Sequence, residues 1–358
     1  LTDVDLSGWR FSAGLDYVFD EGSTLPKGSY LILAQDRAHF FAKFKKNPFG
    51  QFSSGRLSNE GERITLRDAV GNKIDEVEYK SEFPWPISPA GRGPSMELIN
   101  PSLDNNLAGS WRPSSQPTPG DRNSVYSDNA PPQIRQVRHL PKQPRDYEQT
   151  VIRAKITDPD LIDSVELLYQ VVSPGQYFGA YRPKSYNDIL NKPDDPHSAN
   201  SAFEAAGSWT TLPMKLDAEV GESIYTATIP SQVNRSLVRY RIKAIDREGA
   251  SVRVPYPDDP SLNFAYFVYN GVPDYVASTR SVHPEGAGHV YPSSVMTSLP
   301  VYHLITGSSE YTQCYAYSGN KIPKNNKPSR SAFHWYGTFV YEGVVYDHIK
   351  YRLRQAND

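Results

Sequence analysis

An all-β chain built from tandem sandwiches is what this sequence predicts, and three observations carry the prediction. Proline is abundant, at 30 of 358 residues, and each proline inside a helix costs about 3 kcal/mol. Short runs of alternating apolar and polar residues recur along the first two-thirds of the chain, separated by Gly, Asn, Asp and Pro. A Pro-rich stretch divides the first set of runs from the second. At this length the chain exceeds one compact core and fits two or three domains.

In the first region, Tyr30-Leu-Ile-Leu33 reads as a buried strand. Arg63-Ile-Thr-Leu-Arg67 reads as a half-exposed strand and Lys73 to Tyr79 as another. Turn residues that tolerate positive φ lie between them, at Pro26-Lys-Gly28, Ser58-Asn-Glu-Gly61 and Val70-Gly-Asn72. Asp36 to Phe44 predicts one short helix, with Asp36 as N-cap and Phe40, Phe41 and Phe44 facing inward. Prolines 113, 117, 119, 131 and 132 then mark a linker that wraps the end of this region.

The second region opens at Pro131. Strands are predicted at 150–156, 164–171, 224–229, 238–245 and 251–254, with a turn at Asp246-Arg-Glu-Gly249. Residues 178–208 break the pattern and read as an insertion, with short helices at Ser185–Leu190 and Ser201–Ala206. The third region predicts a strand at Leu299–Ile305, a hairpin turning at Glu342-Gly343, and a strand at Ile349–Arg354.

The first region closely resembles the lamin-tail domain, an immunoglobulin-like β-sandwich. The likeness rests on Leu6-Ser-Gly-Trp9, Leu25-Pro-Lys-Gly28, Gly55-Arg-Leu-Ser-Asn-Glu-Gly61, Ile74-Asp75, Trp85-Pro86, Ser95-Met-Glu-Leu98, Trp111, and Pro117-Thr-Pro-Gly120 with Asn123. It implies a scaffold that binds or spaces, without catalytic residues of its own. Lamin-tail domains usually place an Asn-Glu-containing strand before Leu-Ser-Gly-Trp. Its absence predicts an open sandwich edge, with Leu6–Phe11 frayed or paired to another chain. The second region resembles immunoglobulin or fibronectin-type-III domains in a generic way. In the third, Leu299–Ile305, Gly337–Asp347 and Ile349–Arg354 resemble the opening of the CotH spore-coat kinase family, an α+β fold.

The organisation expected is therefore a lamin-tail domain at 1–123, a linker at 124–130, and an Ig/fibronectin-III-like domain at 131–270. The β-rich start of a CotH-like domain follows at 271–358. Tandem immunoglobulin-like sandwiches ahead of such a domain describe a segment of a large bacterial surface protein.

Charge is nearly balanced at −2, so no global field favours nucleic acid or an anionic membrane. No run of about 18 apolar residues spans a bilayer. Cys314 is the only cysteine, which excludes a disulfide within these residues and says little about compartment.

Candidate chemistry is sparse, and each candidate has an ordinary competitor. Asp158-Pro-Asp160, Asp194-Asp195 and Asp258-Asp259 carry oxygens that suit Ca²⁺, but solvated turns explain them better. His283, His289 and His303 lack partners at zinc-ligand spacing, and His303 reads as a core residue. Gly286-Ala-Gly288 lacks the Lys and helix of a phosphate loop. The basic run Lys321 to Arg330 reads as a solvated loop. Trp9, Trp85 and Trp111 read as core anchors rather than a sugar-stacking platform. No Gly-x-Ser-x-Gly elbow supports Ser-His-Asp catalysis.

Arg352 and Arg354 alternate with Leu353 and share a face. By resemblance that face borders the CotH nucleotide pocket, where guanidinium groups suit phosphate. The reading preferred is a non-catalytic scaffold or adhesion segment, extracellular or on the cell surface. Its partners would be other protein chains or surface matrix, and it would use no cofactor of its own. Two others stand beside it: part of a CotH-type kinase, with Mg-ATP as the cofactor of the full-length parent, and a carbohydrate- or matrix-binding module.

Overall fold

The computed structural model describes residues 2–185, 188, 191, 197–277, 287–318 and 334–352. Strands dominate, most of them short and antiparallel, and helix is a minor component. The all-β class follows from the chain's own chemistry, since frequent prolines and turn residues leave few uninterrupted stretches for helix. Two compact units are present. The first comprises Leu1–Gln136, Lys155–Ser164 and Ala244–Leu262; the second comprises Val137–Ala154, Val165–Lys243 and Asn263–Asp358.

The first unit is built on a five-stranded sheet in the order Ser54–Gly55, Leu15–Val18, Arg10–Ala13, Gly61–Arg67, Lys73–Lys80. A separate pair, Ser95–Leu98 with Trp111–Ser114, forms a two-stranded sheet of the same unit. The two long strands, Gly61–Arg67 and Lys73–Lys80, pair with Ile64 opposite Val77 and Glu62 opposite Tyr79. Gly61 fits this corner because its φ is +97°, and a Cβ there would lie 2.5 Å from the Tyr79 carbonyl oxygen. The segment after Pro117 is stitched back onto the Ser95–Leu98 strand. The Asn123 side chain donates to the Leu98 carbonyl at 2.9 Å, and Ser124 donates through its backbone N–H and hydroxyl to buried Glu97.

Several sequence expectations change here. Leu6–Phe11 is no frayed border: the strand Arg10–Ala13 lies in the middle of the five-stranded sheet. Arg10 and Phe11 pair with Val18 and Tyr17 on one side and with Arg67 and Leu66 on the other. The strand expected over Tyr30–Leu33 shrinks to Leu33–Ala34, which pairs in parallel with Gly50–Gln51, and Tyr30 is exposed. The helix forms at Arg37–Phe44, capped as expected by Asp36, whose carboxylate accepts from the His39 N–H at 2.8 Å. The Phe40 and Phe44 rings pack at 4.8 Å with a 42° tilt, whereas Phe41 is exposed. Positions 40 and 44 share a helix face and 41 turns off it.

The strands of the second region fall close to their predicted places, at Thr150–Thr157, Ile162–Val172, Ile224–Ile229, Leu237–Asp246 and Ser251–Val254. Thr150–Thr157 alternates between buried and half-buried positions along its length, so one face is packed. Ile152, Leu167 and Ile242 are fully buried. Within the insertion, Tyr181–Pro183 pairs with His197–Ala199, and the expected second helix appears as 3₁₀ turns at Ser201–Glu204 and Ala206–Ser208. Most of the first predicted helix lies outside the described residues.

In the third region, Tyr302–Ile305, Trp335–Tyr341 and Val344–Tyr351 form a three-stranded sheet. The turn sits at Glu342-Gly343, both with positive φ, as the sequence predicts. The strand expected separately at Ile349–Arg354 is the continuation of the second hairpin arm as far as Tyr351. An α-helix at Ser308–Ser318 was not anticipated. Among the described residues no helix is long and apolar enough to cross a membrane.

Candidate functional site: a groove beside the edge strand

Among the described residues the long strand Lys73–Lys80 is the last in its sheet, and no other strand pairs with its outer side. Beside it, between the two sheets, lies a cavity of about 300 Å³. Its floor is Ile64, Val77 and Tyr79; its walls are Pro86 and Pro89 from the loop 81–94, with Met96 and Trp111 from the smaller sheet. Ile64, Leu66 and Val77 stay half-exposed, unlike the sealed aliphatic residues of the second region. A two-stranded layer is too narrow to cover a five-stranded one. The result is an apolar recess along an open edge, the combination that β-strand addition and peptide binding use elsewhere.

Polar groups hold the recess in shape. The Tyr79 hydroxyl donates to the Ser58 carbonyl at 2.8 Å and to Glu62 Oε1 at 3.0 Å. Burial, and then the bond to Glu62, push the Tyr79 pKa well above its ordinary value, so the phenol stays neutral. Trp85 is buried and its ring lies 6.2 Å from that of Trp111, whose indole N–H donates to the Asn105 carbonyl at 2.8 Å. These tryptophans are packing residues, as expected. Trp9 is half-buried.

The acidic pairs behave as turn and packing residues. Asp158 accepts from the Asp160 N–H at 2.7 Å, which closes a local turn. Asp259 is only 2% exposed and accepts from the Ile87 N–H at 3.1 Å. Asp194-Asp195 lies outside the described residues, as do His283, Gly286 and the basic run 321–330. His303 sits in its strand with its ring 4.5 Å from that of Tyr269 and 5.0 Å from that of Phe267. Burial lowers its pKa. His289 packs against Tyr291. Among the described residues no group of three potential ligands clusters for a metal.

Arg352 is exposed just beyond the last strand, and Arg354 lies outside the described residues. The charged centre of the second unit is instead Asp347, which sequence reasoning passed over. Fully buried Arg239 grips its carboxylate with two hydrogen bonds, Nε to Oδ2 at 2.7 Å and Nη2 to Oδ1 at 3.1 Å. Asn263 donates at 2.7 Å, and Thr338 donates as well. The His348 Nδ1 lies 3.0 Å away while its Nε2 accepts the Ala180 N–H, so Nδ1 carries the proton. Burial alone would raise the Asp347 pKa; the Arg239 charge and then His348 overcome it and hold the carboxyl well below the usual range. A carboxylate so fully engaged is a structural tie.

A family model described as the Lamin Tail Domain matches residues 1–81. That segment is an immunoglobulin-like lamin-tail module, and it contributes Ile64, Val77, Tyr79 and Lys80 to the groove. The match stops short of residue 123, to which the sequence resemblance extends. No curated protein matches the chain.

Proposed function

We propose that this chain is a non-catalytic scaffold or adhesion segment of a large extracellular or cell-surface bacterial protein, binding other protein chains or surface matrix. The observation that carries the reading is the open, apolar edge groove on the lamin-tail module, where residues that a sandwich normally seals remain accessible. A division into domains at 1–123, 131–270 and 271–358, joined by a linker at 124–130, belongs to the same reading. So does operation without a cofactor of its own. Nearly balanced charge suits a surface that binds through shape and apolar contact rather than through a long-range field.

The kinase reading rests on the likeness of the third region to the CotH family. Arg352 remains its candidate phosphate contact in this region, with Arg354 as the companion and Mg-ATP as the cofactor of a longer parent. The use of Asp347 as a tie to Arg239 favours the scaffold.

The test is to titrate the purified chain against immobilised cell-surface and matrix preparations, with and without Mg-ATP. Saturable binding indifferent to nucleotide is expected. A micromolar affinity for Mg-ATP by calorimetry, or labelled phosphate appearing on an acceptor protein, would overturn the non-catalytic reading.

A further inference from the structure

The edge strand Lys73–Lys80 has a fixed register of open and closed backbone groups. The Glu76 N–H donates to the carboxylate of its own neighbour Asp75 at 2.8 Å, so it points away from the strand Gly61–Arg67. In an antiparallel ladder the outward groups fall on every second residue. Glu76, Glu78 and Lys80 therefore present theirs to the open side, while Val77 and Tyr79 bond inward to Ile64 and Glu62. The outward groups repeat at about 6.8 Å, two residues of strand rise, which is the spacing another strand reproduces.

Side chains follow the same alternation. Val77 and Tyr79 line the recess, whose volume of about 300 Å³ holds aliphatic side chains but no folded partner. Glu76 and Glu78 lie on the opposite face. Their cationic and polar partners stand one strand further in or at the strand's start. Arg63, directly across from Glu78, donates to its Oε2 at 2.7 Å, and Glu76 accepts from Thr65 at 2.9 Å and from Lys73 at 3.1 Å. Beyond that row the open side meets carboxylates first, and the Glu78 side chain is 51% exposed. A residue added opposite Glu78 thus finds a negative neighbour, and residues added opposite Val77 and Tyr79 find an apolar one.

We infer that the groove takes an extended peptide from another protein, added as a further strand along Glu76–Lys80, with apolar residues alternating with basic ones. The apolar residues drop into the recess beside Val77 and Tyr79. The basic ones sit against Glu76 and Glu78, and it is their backbone N–H and C=O groups that close the open ladder. The inference rests on the reading of the groove as an interaction surface and names the chemistry of its partner. Backbone pairing supplies affinity here, and the apolar–basic alternation supplies register, since a slip of one residue would turn the lysines into the recess.

Fluorescence anisotropy of a short, labelled, end-capped peptide of alternating valine and lysine, titrated with the whole chain, tests it. Saturable binding is expected. N-methylation of the lysine backbone nitrogens, which face the protein, should weaken it at least about tenfold, since each loses a hydrogen bond and leaves an acceptor unpaired. Methylation of the valine nitrogens, which face solvent, should leave it nearly unchanged. Glutamate in place of lysine should weaken it about threefold or more. On the protein side, Glu78→Pro removes an outward N–H without touching the inner ladder and should weaken binding at least about tenfold. If that variant does not fold, the methylated peptides decide the matter on the wild-type chain. No binding of the unmodified peptide, equal binding of the lysine-methylated one, or wild-type affinity in folded Glu78→Pro would overturn strand addition. So would a dimer of the chain formed through this edge in place of peptide binding. Retention on matrix polysaccharide that Val77→Lys abolishes, with no peptide bound, would overturn strand addition and leave the attachment reading standing. Peptide binding as described, with no retention on cells or matrix, would count against the attachment reading alone.

Discussion

Replacing Asp347 by Asn is the most informative single perturbation of the second unit. The substitution preserves shape but removes the charge that Arg239, with a fully buried side chain, relies on. Breaking a buried ion pair from one side costs about 3–5 kcal/mol, because the surviving charge is left without compensation. For a unit of 150–250 residues each kcal/mol is worth about 2–4 °C, so a fall in Tm of about 6–20 °C is expected. Glu204→Gln is the control. It breaks a bidentate pair to Arg241 with both bonds at 2.8 Å, but the Glu204 side chain is 55% exposed. Screening acts from the Glu204 side only, because the Arg241 side chain is 2% exposed, so the loss should fall below that of Asp347→Asn, at about 1–3 kcal/mol. Scanning calorimetry of the whole chain, with circular dichroism as a second probe, reads both variants. An Asp347→Asn transition within about 2 °C of wild type, or a larger loss in Glu204→Gln, would refute the claim that burial sets the worth of these pairs. The pH dependence has a fixed sign. Since the folded pKa of Asp347 is depressed, its contribution is present above the unfolded value of 3.8 and is lost only as pH falls through the lower folded value.

Other outcomes follow from the first unit. Gly61→Ala should lower stability by about 1–3 kcal/mol, since it combines a positive φ with a Cβ driven into the Tyr79 carbonyl; a chemical-denaturation midpoint equal to wild type would contradict this. Asp36→Ala should fray the first turn of the helix and speed amide exchange at His39, whose N–H it caps. Unchanged exchange there would show that the cap is idle. Trp85→Ala should destabilise by about 3–5 kcal/mol, because the ring is 5% exposed and leaves a large void; near-native stability in denaturant would show that the site collapses freely.

Much of the fold was legible wherever local chemistry and tertiary packing agree. Alternation located Gly61–Arg67, Lys73–Lys80, Ile224–Ile229 and Ser251–Val254 closely, and Glu342-Gly343 announced its hairpin. Tyr30–Ile32 failed because an apolar run gives no direction: those residues follow a turn at Pro26–Ser29, and only the Ile32 carbonyl, which accepts from the Phe49 and Gly50 N–H groups, meets the neighbouring strand. The placement of Leu6–Phe11 failed for a different reason. Strand order within a sheet is a long-range property, and Arg10 finds Arg67 across 57 positions that carry no local trace of the pairing. The groove was invisible for the same cause, since its lining is gathered from six separate stretches between Leu57 and Trp111. In the sequence Asp347 reads only as the end of a hairpin motif. An arginine amid apolar strand residues, at Val238-Arg-Tyr240, was the available hint that a buried counter-charge had to exist.

The proposed role in attachment stands or falls with the open groove beside Lys73–Lys80. Retention of the labelled, purified chain on intact cells of its own source tests it most directly, with Val77→Lys as the comparison. That substitution places a charge on the groove floor and leaves the sealed core of the second region untouched. Saturable retention of the wild type, weakened at least about tenfold in the variant at equal folded content, is the predicted result, a difference of about 1.4 kcal/mol or more. Equal retention of the two chains would contradict the claim.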